Sequence, residues 1–558
     1  MEFYFSKTKA VTDLPGVHLV QDNVWSKYNS PWDDFGFIVT FQVLLVKEEK
    51  LLALGEVKIL IKGVQDTSAF FIASGALVLG TKSYKISSVL EPDKVVSLGT
   101  SIDHYQKVKN AFPADAVESY LSGICDAGYF YSRYEIYRVW PGFDSTLLRD
   151  GQPAEARIKK GYSIAFGNHS PEDEISILID TIPGSFEPIE FRFDNGKDVG
   201  SNNLNLIIGA NGAGKSHILK YVTELITGVA EGKERWPYFH KLVVVAYSPF
   251  EKFYTDSEIS EALLKKQTPE ALKSRQLPAN QKKRLLKINK YSYIGFRNES
   301  NKFNLDWPKE HSARSVLKIM QYDQDNWWSS QHRVSLLVST LKMSVGFDAL
   351  ALRTRDGEFI KITDEYGVSV EEIEKTIDVK SGIFFLKGDK ELPLSSGQIM
   401  YSYMIPALAA EIEDESLIIL DEPELYLHPS LEVGLISMLK SLMQETSSYA
   451  IIATHSAILA REVSQDGIRI LHSLPSGTVV TSPTFETYGE SLDLILGAAF
   501  DDYETTKPFQ KSLDKKIQEF KGVDDAMKAL GENLGDDALG YIVSKFNGKE
   551  TKVIFEDE

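Results

Sequence analysis

The chain has 558 residues, of which 43% are hydrophobic and 25% charged, a balance typical of a globular protein with about two to four domains. Its net charge of −18 argues against a protein that coats nucleic acid, although a local basic face remains compatible with it. No apolar run approaches the length that spans a bilayer and the N-terminus lacks the layout of a signal peptide, so we expect a cytoplasmic protein. The single cysteine, Cys125, excludes an internal disulfide, and we expect it to fill the core.

The first part of the chain, residues 1–165, is predicted to form an accessory α+β domain that is rich in strands. Apolar runs at 37–46 and 57–62 are typical of strands, and the stretch 102–121 is typical of helix. An aromatic run follows at 129–140. We interpret it as sheet packing with cross-strand pairs, with a surface for base stacking as the alternative.

A phosphate-binding pattern lies at 209–216, where GANGAGKS fits G-x-x-x-x-G-K-[ST] at each required position. An apolar run precedes it and a helix-like run follows it, which is the strand–loop–helix context that the motif needs. We expect the loop amides to face phosphate oxygens, Lys215 to reach the β- and γ-phosphates, and Ser216 to bind Mg²⁺. The predicted nucleotide-binding residues here are Gly209, Asn211, Gly212, Gly214, Lys215, Ser216 and His217.

The segment 255–379 is polar and predicted to be a mainly helical insertion. Trp327 and Trp328 are adjacent and are interpreted as packing residues, with a docking surface as the alternative. The segment also contains a basic stretch, which we interpret as a solvated helical face, with a patch for nucleic acid or an acidic partner as the alternative. The stretch comprises Lys273, Arg275, Lys282, Lys283, Arg284, Lys287 and Lys290.

Three further motifs follow in the segment 380–485. The sequence LSSGQ at 394–398 precedes a helix-like run, so Ser395, Ser396, Gly397 and Gln398 are predicted to form an anion-binding helix N-terminus. Pro406 is expected to kink or end the first part of that helix. The sequence LIILDEPE at 417–424 is typical of a buried parallel strand, with two acidic residues at its carboxyl end.

The acidic pair and a later histidine complete the predicted site. We expect Asp421 to hold Mg²⁺ and Glu422 to polarise the attacking water. The sequence IIATHS at 451–456 is typical of another buried strand, and His455 at its end is expected to bind a γ-phosphate oxygen. The predicted catalytic residues are therefore Lys215, Glu422 and His455, and the predicted metal ligands are Ser216 and Asp421.

These four motifs in this order resemble the ATP-binding cassette (ABC) ATPase superfamily, in which they are called Walker A, the signature, Walker B and the switch histidine. The sequence DEPELYLHP at 421–429 resembles the non-transporter branch that contains RecF-like, SMC-like and overcoming-lysogenization-defect (OLD) ATPases and the PtuA-type ATPases of anti-phage systems. The resemblance covers roughly 175–260 and 380–500 and implies an α/β P-loop fold with a mixed sheet.

The resemblance implies a homodimer or higher oligomer in which each ATP lies between Walker A of one subunit and the signature of the other. One departure is clear: the strand sequence at 241–253 lacks the glutamine of the family's Gln loop, and Ser248 or a backbone group could replace it. Phe191 and Phe193 are weak candidates for an adenine platform and are better interpreted as core.

The last segment, 486–558, is predicted to be a helical tail without a nuclease of its own. Asp501 and Asp502 are adjacent rather than spaced as in a TOPRIM nuclease, and no carboxylate or histidine cluster is evident outside the ATP site. The favoured function is an ATP- and Mg²⁺-dependent switch that controls a separate effector, possibly an HNH-type nuclease, in anti-phage defence. The alternatives are a RecF- or SMC-like ATPase that clamps DNA and, less favoured, a transporter subunit.

Overall fold

The computed structural model describes residues 1–24, 30–47, 50–149, 152–169, 174–194, 203–231, 237–267, 290–325, 332–363, 369–499 and 506–546. The chain divides into two units, residues 1–488 and 489–558. The prediction of a mixed α/β fold is confirmed, since the larger unit contains two seven-stranded sheets, of which the second is mostly parallel.

The N-terminal sheet has the strand order β5-β6-β1-β2-β3-β4-β7, and helical segments pack against both of its faces. Its strands are β1 (Phe3–Ser6), β2 (Gly16–Gln21), β3 (Thr40–Lys47), β4 (Lys50–Ile61), β5 (Ala76–Leu77), β6 (Ser83–Lys85) and β7 (Val95–Gly99). The helices are α1 (Thr67–Ser74), α2 (Ile102–Ala111), α3 (Ala114–Gly123), α4 (Tyr134–Arg138), α5 (Phe143–Thr146) and α6 (Gln152–Phe166).

The N-terminal elements agree with the sequence pattern except at the aromatic run. The expected strands at 37–46 and 57–62 correspond to β3 and β4, and Cys125 is buried in the core as expected. The interpretation of 129–140 as sheet pairing is wrong, because these residues form a 3₁₀ turn followed by α4. Tyr137 and Trp140 are nevertheless buried there, so the aromatic residues serve packing from helical turns instead of from a strand.

The central sheet has the order β12-β11-β17-β18-β10-β19-β20, with every neighbouring pair parallel except β19 and β20. A separate antiparallel pair, β8 and β9, packs into the same core. The strands are β8 (Glu174–Ile179), β9 (Ile189–Asp194), β10 (Leu204–Gly209), β11 (Lys241–Ala246), β12 (Lys290–Gly295), β17 (Ser416–Asp421), β18 (Tyr449–Ala453), β19 (Ile468–Leu474) and β20 (Gly477–Thr481).

The interior strands of the central sheet are buried along their whole length, which is why they appear in the sequence as continuous apolar runs. Because they are parallel, the carboxyl ends of β10, β17 and β18 meet at one edge of the sheet. This arrangement brings the ends of three predicted motifs together from positions far apart in the chain.

Strand β12 lies within the predicted insertion but belongs to the central sheet, so the expected boundary at 254 divides strands of a single sheet. A small antiparallel sheet has the order β14-β13-β15-β16; its first two strands belong to the predicted insertion and its last two precede the signature. Its strands are β13 (Ala349–Arg353), β14 (Phe359–Lys361), β15 (Ile383–Lys387) and β16 (Lys390–Glu391). The helices of this region are α7 (Lys215–Thr227), α8 (Asp256–Gln267), α9 (Trp307–Asp325), α10 (Arg333–Lys342) and α11 (Val370–Thr376).

The helices that follow the signature and the acidic strand complete the larger unit. These are α12 (Ser396–Glu411), α13 (Pro429–Thr446) and α14 (Ala457–Ala460). The smaller unit is helical in its described residues and has a core of Leu513, Ala526 and Ile542. Its helices are α15 (Leu492–Ala499), α16 (Pro508–Ile517), α17 (Val523–Leu530) and α18 (Asp536–Phe546).

Candidate functional site

The predicted phosphate loop joins β10 to α7, and two of its glycines are required by the backbone. Gly209 has a φ of +149°, and a Cβ there would lie 2.6 Å from the carbonyl oxygen of Leu471. Gly214 has a φ of +100°, and a Cβ there would lie 2.6 Å from the ring of Phe186. Side chains at either position would be strained and would collide, so the loop holds its curvature only with glycine.

The lysine of the loop is folded over the loop itself. The Lys215 ammonium donates hydrogen bonds to the Gly209 carbonyl oxygen at 3.2 Å and to His455 Nε2 at 2.6 Å. A carboxylate oxygen of Glu422 lies 4.0 Å from the same ammonium. Burial lowers the pKa of Lys215, although nearby carboxylates oppose this. The site therefore contains a desolvated cation that a phosphate would stabilise.

The first carboxylate of the acidic pair faces the start of α7. Asp421 is the last residue of β17, and its Oδ1 accepts a hydrogen bond from Ser216 Oγ at 2.8 Å. Burial raises the pKa of Asp421 to about 6, against the effect of that hydrogen bond. A hydroxyl and a buried carboxylate in contact are oxygen ligands of the kind that Mg²⁺ prefers. The two residues therefore fit the predicted metal site.

The second carboxylate turns toward the lysine because of an unusual backbone conformation. Glu422 has a φ of +48°, in the left-handed region that costs a non-glycine residue roughly 1–3 kcal/mol. Its backbone N–H donates to the Ala453 carbonyl oxygen at 2.9 Å, which holds the turn. The carboxylate lies 3.4 Å from His455 Nε2, so both acidic side chains reach the same site from consecutive positions.

His455 follows β18 and lies between the lysine and the acidic pair. Burial and the charge of Lys215 lower the pKa of His455, which favours the neutral ring, and its Nε2 accepts the hydrogen bond from the Lys215 ammonium. Its backbone N–H donates to a carboxylate oxygen of Glu424 at 2.6 Å. The structure thus brings Lys215, Ser216, Asp421, Glu422 and His455 together, as the sequence predicts.

The predicted signature lies at the N-terminus of α12, and no hydrogen bond or ion pair of the described residues connects it with the phosphate loop. Ser395 caps the helix: its hydroxyl accepts from the Gln398 N–H, and the Gln398 side chain accepts from the Ser395 N–H at 3.0 Å. Ser395 and Ser396 are exposed. The sequence predicts that Pro406 kinks the helix or ends its first segment, and the second alternative is wrong, because α12 runs through Pro406 to Glu411.

An aromatic contact between His217 and Phe186 lies beside the loop, and the sequence did not indicate Phe186. His217 donates to the Pro183 carbonyl oxygen at 2.8 Å, and its ring stacks on Phe186 with centroids 5.3 Å apart. Asn211 is exposed at the tip of the loop. Phe191 and Phe193 are fully buried in the core, as the sequence favours, so Phe186 is the aromatic residue that borders the phosphate loop. Its signal is weak, because it lies in a turn with no motif of its own.

The strand end that lacks the Gln-loop glutamine contains a glutamate instead. Glu251 accepts hydrogen bonds from Tyr293 at 2.7 Å and from Arg297 at 2.8 Å, and its charge contributes to the raised pKa of Asp421. Within the described residues, the Ser248 hydroxyl accepts a local hydrogen bond from the Phe250 N–H at 3.3 Å. The charge of Glu251 therefore acts on the predicted metal ligand Asp421, and the role of Ser248 stays a prediction.

A second charged cluster occupies the opposite edge of the central sheet, where the sequence analysis expected no carboxylate–histidine cluster. Asp103, His240 and Glu413 place possible ligand atoms within 4.8 Å of one another. The Lys290 ammonium lies between the carboxylates, 3.1 Å from Asp103 and 2.5 Å from Glu413. That cation balances the two acids, so the geometry is that of an ion-pair network that joins the N-terminal domain to the cassette.

Comparison with known proteins supports the nucleotide-binding assignment. The family model described as "AAA domain, putative AbiEii toxin, Type IV TA system" matches residues 230–461. Protein ea59 of Escherichia phage lambda is 23% identical over 533 residues, which cover 90% of this chain and 91% of that protein. The family match covers less than half of this chain, and it supports a P-loop ATPase domain in that part.

Solved structures of ABC-type ATPases also match, with low scores. The SMC head domain from Thermotoga maritima is 13% identical, with a TM-score of 0.26, over 56% of this chain and 98% of the domain. A dimeric bacterial ABC transporter cassette is 14% identical, with a TM-score of 0.23, over 57% of this chain and 97% of the cassette.

Several predictions concern residues outside the described part of the chain. These are the basic positions 273–287, the pair Trp327 and Trp328, and the pair Asp501 and Asp502. In the described ranges, no helix is both long enough and apolar enough to cross a bilayer.

Proposed function

We propose that this protein is an ATPase that binds Mg²⁺-ATP, closes as a head-to-tail dimer and opens after hydrolysis to control a separate effector. The observation that carries the proposal is the convergence of Lys215, Ser216, Asp421, Glu422 and His455 at the carboxyl edge of one parallel sheet. Two acids, a desolvated cation and a neutral histidine around a glycine loop match the needs of phosphoryl transfer to water.

The binding half of this proposal uses the loop and the first turn of α7. The amides of 210–216 face the β-phosphate, and Lys215 exchanges its bonds to Gly209 and His455 for bonds to phosphate oxygens. Ser216 and Asp421 hold Mg²⁺, which screens the charge of the phosphates when it is bound. Phe186 and His217 offer an aromatic surface beside the loop for the nucleotide.

The hydrolytic half uses Glu422 and His455. Glu422 accepts a proton from water, whose oxygen forms a bond to the γ-phosphorus as the bond to the β,γ-bridging oxygen breaks, which gives ADP and phosphate. The electron pair of the broken bond stays on the ADP oxygen. His455 lies within 3.4 Å of Glu422, donates a ring N–H to a γ-phosphate oxygen and so distinguishes ATP from ADP.

The separation of the signature from the loop supports the proposed dimer. The chain has a single copy of each motif, and the signature helix begins with exposed serines, so a second copy would have to supply the signature to each ATP. Apolar residues that a partner could cover lie beside it: Ile399, Leu425 and Tyr426 are exposed. The Tyr426 carbonyl lies against Gly397, where a Cβ would be only 2.7 Å away.

The effector part of the proposal rests on what lies around the cassette. The N-terminal domain adds a seven-stranded sheet that the ATP site does not use. The description of the matched family names a toxin of a type IV toxin–antitoxin system. A relative in a bacteriophage is in keeping with a role in the conflict between phage and host. We propose that the ATP-dependent opening of the dimer releases or engages an effector, possibly an HNH-type nuclease.

The composite site can be tested by mixing two inactive variants. Ser395→Arg disables the signature, and Lys215→Ala disables the loop. In a heterodimer one interface carries both lesions and the other carries neither, so about one working site per heterodimer should restore ATP turnover. The matched control mixes Lys215→Ala with Glu422→Gln, which should not restore turnover because each chain then ruins its own loop site. Failure of the first mixture at every ratio would refute the head-to-tail dimer.

The alternative, an ATPase that clamps DNA, makes a different prediction for the same purified protein. It requires tight, sequence-independent DNA binding that weakens steeply with salt. We expect instead weak DNA binding by the chain alone and co-purification of an effector protein expressed from its native neighbourhood.

A further inference from the structure

A third glutamate follows the acidic pair and is in contact with the histidine loop. Glu424 lies in the turn between β17 and α13, and one of its carboxylate oxygens accepts two hydrogen bonds. The donors are Thr454 Oγ1 at 2.7 Å and the His455 backbone N–H at 2.6 Å. The same oxygen therefore fixes two consecutive residues of the loop that carries the sensor histidine.

The bonding of Glu424 is one-sided, which is unusual for a buried acid. Its other oxygen, Oε2, is buried and has no hydrogen-bond partner among the described residues. Burial raises the pKa of Glu424 to about 7, although the bonds from His455 and Thr454 lower it. Keeping a poorly solvated carboxyl group in this place costs free energy, and the bonds to the histidine loop are the described interactions that offset the cost.

The histidine loop is held from a second side by the helix that follows. Ser456 donates to a carboxylate oxygen of Glu432 in the first turn of α13, and Ser456 N–H donates to Thr454 Oγ1 at 2.9 Å. Glu432 is buried as well. The loop 454–456 is thus attached to the segment after β17 rather than only to its own strand, and Glu424 supplies the attachment nearest to the imidazole.

The catalytic turn and the attachment belong to the same short segment. Glu422 contacts the His455 ring at 3.4 Å, while Glu424, two residues later, holds the His455 backbone. Leu425 and Tyr426 come next, and both are exposed beside the signature. A shift of His455 on loss of the γ-phosphate would therefore act on the turn at 422–424 and on the exposed residues that follow it.

We propose that Glu424 is a positioning residue that holds His455 in register with Glu422 and transmits the state of the histidine to the segment beside the signature. The catalytic part of this inference rests on the proposed function, whereas the attachment of His455 does not. The role requires a hydrogen-bond acceptor at this position and does not require contact with the nucleotide.

The test compares two replacements of similar size. Glu424→Gln keeps the accepting oxygen, and Glu424→Leu removes it. We expect kcat for ATP to fall about 30-fold in Glu424→Leu and by less than about threefold in Glu424→Gln, with KM for ATP nearly constant in both. Thr454→Val, which removes one of the two donors, should show an intermediate loss. Equal losses in Glu424→Gln and Glu424→Leu, or a rise in KM that accounts for the effect, would overturn the proposal.

A second measurement separates this inference from the proposed function. Hydrogen exchange of the peptide that contains the His455 amide reports the attachment directly, without ATP. Exchange there should rise about tenfold in Glu424→Leu and stay near the wild-type rate in Glu424→Gln. If the wild-type protein does not hydrolyse ATP, the proposed function fails and the exchange result alone decides whether Glu424 holds His455. Equal exchange in all the variants would show that it does not.

Discussion

The surroundings shift the pKa values of the acidic side chains in opposite directions at the two edges of the central sheet. At the carboxyl edge, burial raises the pKa of Asp421 to about 6 and lowers that of Lys215, so the charged forms are disfavoured in the free protein. At the amino edge, burial also raises the pKa of Asp103 and of Glu411. His240 and Lys290 beside Asp103, and Lys241 beside Glu411, outweigh this effect and lower each pKa to about 2.

This difference indicates which edge stabilises the fold and which awaits a ligand. The acids of the amino edge have their partners within the chain: Lys241 bonds both Glu411 and Glu413, and Lys290 bonds Asp103 and Glu413. The groups of the carboxyl edge are close together but poorly neutralised, which is the pattern expected where an anion and a cation bind from outside. The same sheet thus combines a stabilising network with a site that costs stability in the absence of its ligand.

The largest effect on stability is expected at the amino edge. Glu413→Gln removes a carboxylate that contacts Lys241 at 3.2 Å and Lys290 at 2.5 Å, and it leaves buried cations without that partner. The free energy of unfolding should fall by about 3 kcal/mol in urea titrations. The control is Glu135→Gln in an exposed pair with Arg138, which should change it by less than about 0.5 kcal/mol. Equal effects of both variants would show that the amino-edge network is not stabilising.

The carboxyl edge should respond in the opposite direction. The pKa of Asp421 is raised by burial, so its stabilising contribution is complete below the unfolded value of 3.8 and is lost as the pH rises through about 6. Asp421→Asn mimics the protonated form and should stabilise the free protein by about 2 kcal/mol at pH 7.5 and scarcely at pH 4. The variant should also lose the extra stability that Mg²⁺-ATP gives to the wild type. Destabilisation at pH 7.5 would mean that Asp421 is a structural residue.

The features that could be predicted from the sequence are those encoded by neighbouring residues. The glycine loop, the apolar strands β10, β17 and β18, and the acidic pair have short patterns that fix both their structure and their chemistry. Their convergence followed from one rule, that parallel strands end at the same edge of a sheet.

The features that could not be predicted depend on contacts between distant parts of the chain. Asp103 meets His240 and Glu413 only because α2 of the N-terminal domain packs at the amino edge, and nothing in the local sequence of any of them indicates this. Phe186 borders the loop through a turn without a motif. Aromatic residues favour strands mainly because their side chains pack well on a half-buried surface. Tyr137 and Trp140 are buried from helical turns instead, so the aromatic run at 129–140 does not distinguish the two structures.

The central claim, that ATP closes a dimer which hydrolysis reopens, is tested most directly with Glu422→Gln. The amide keeps the shape of the side chain and cannot accept the proton of water, so ATP should bind and persist. Sedimentation of the purified variant should show a dimer with Mg²⁺-ATP and a monomer with ADP, while turnover falls by at least about 100-fold relative to the wild type. Wild-type turnover in this variant, or the same mass with ATP and with ADP, would contradict the account.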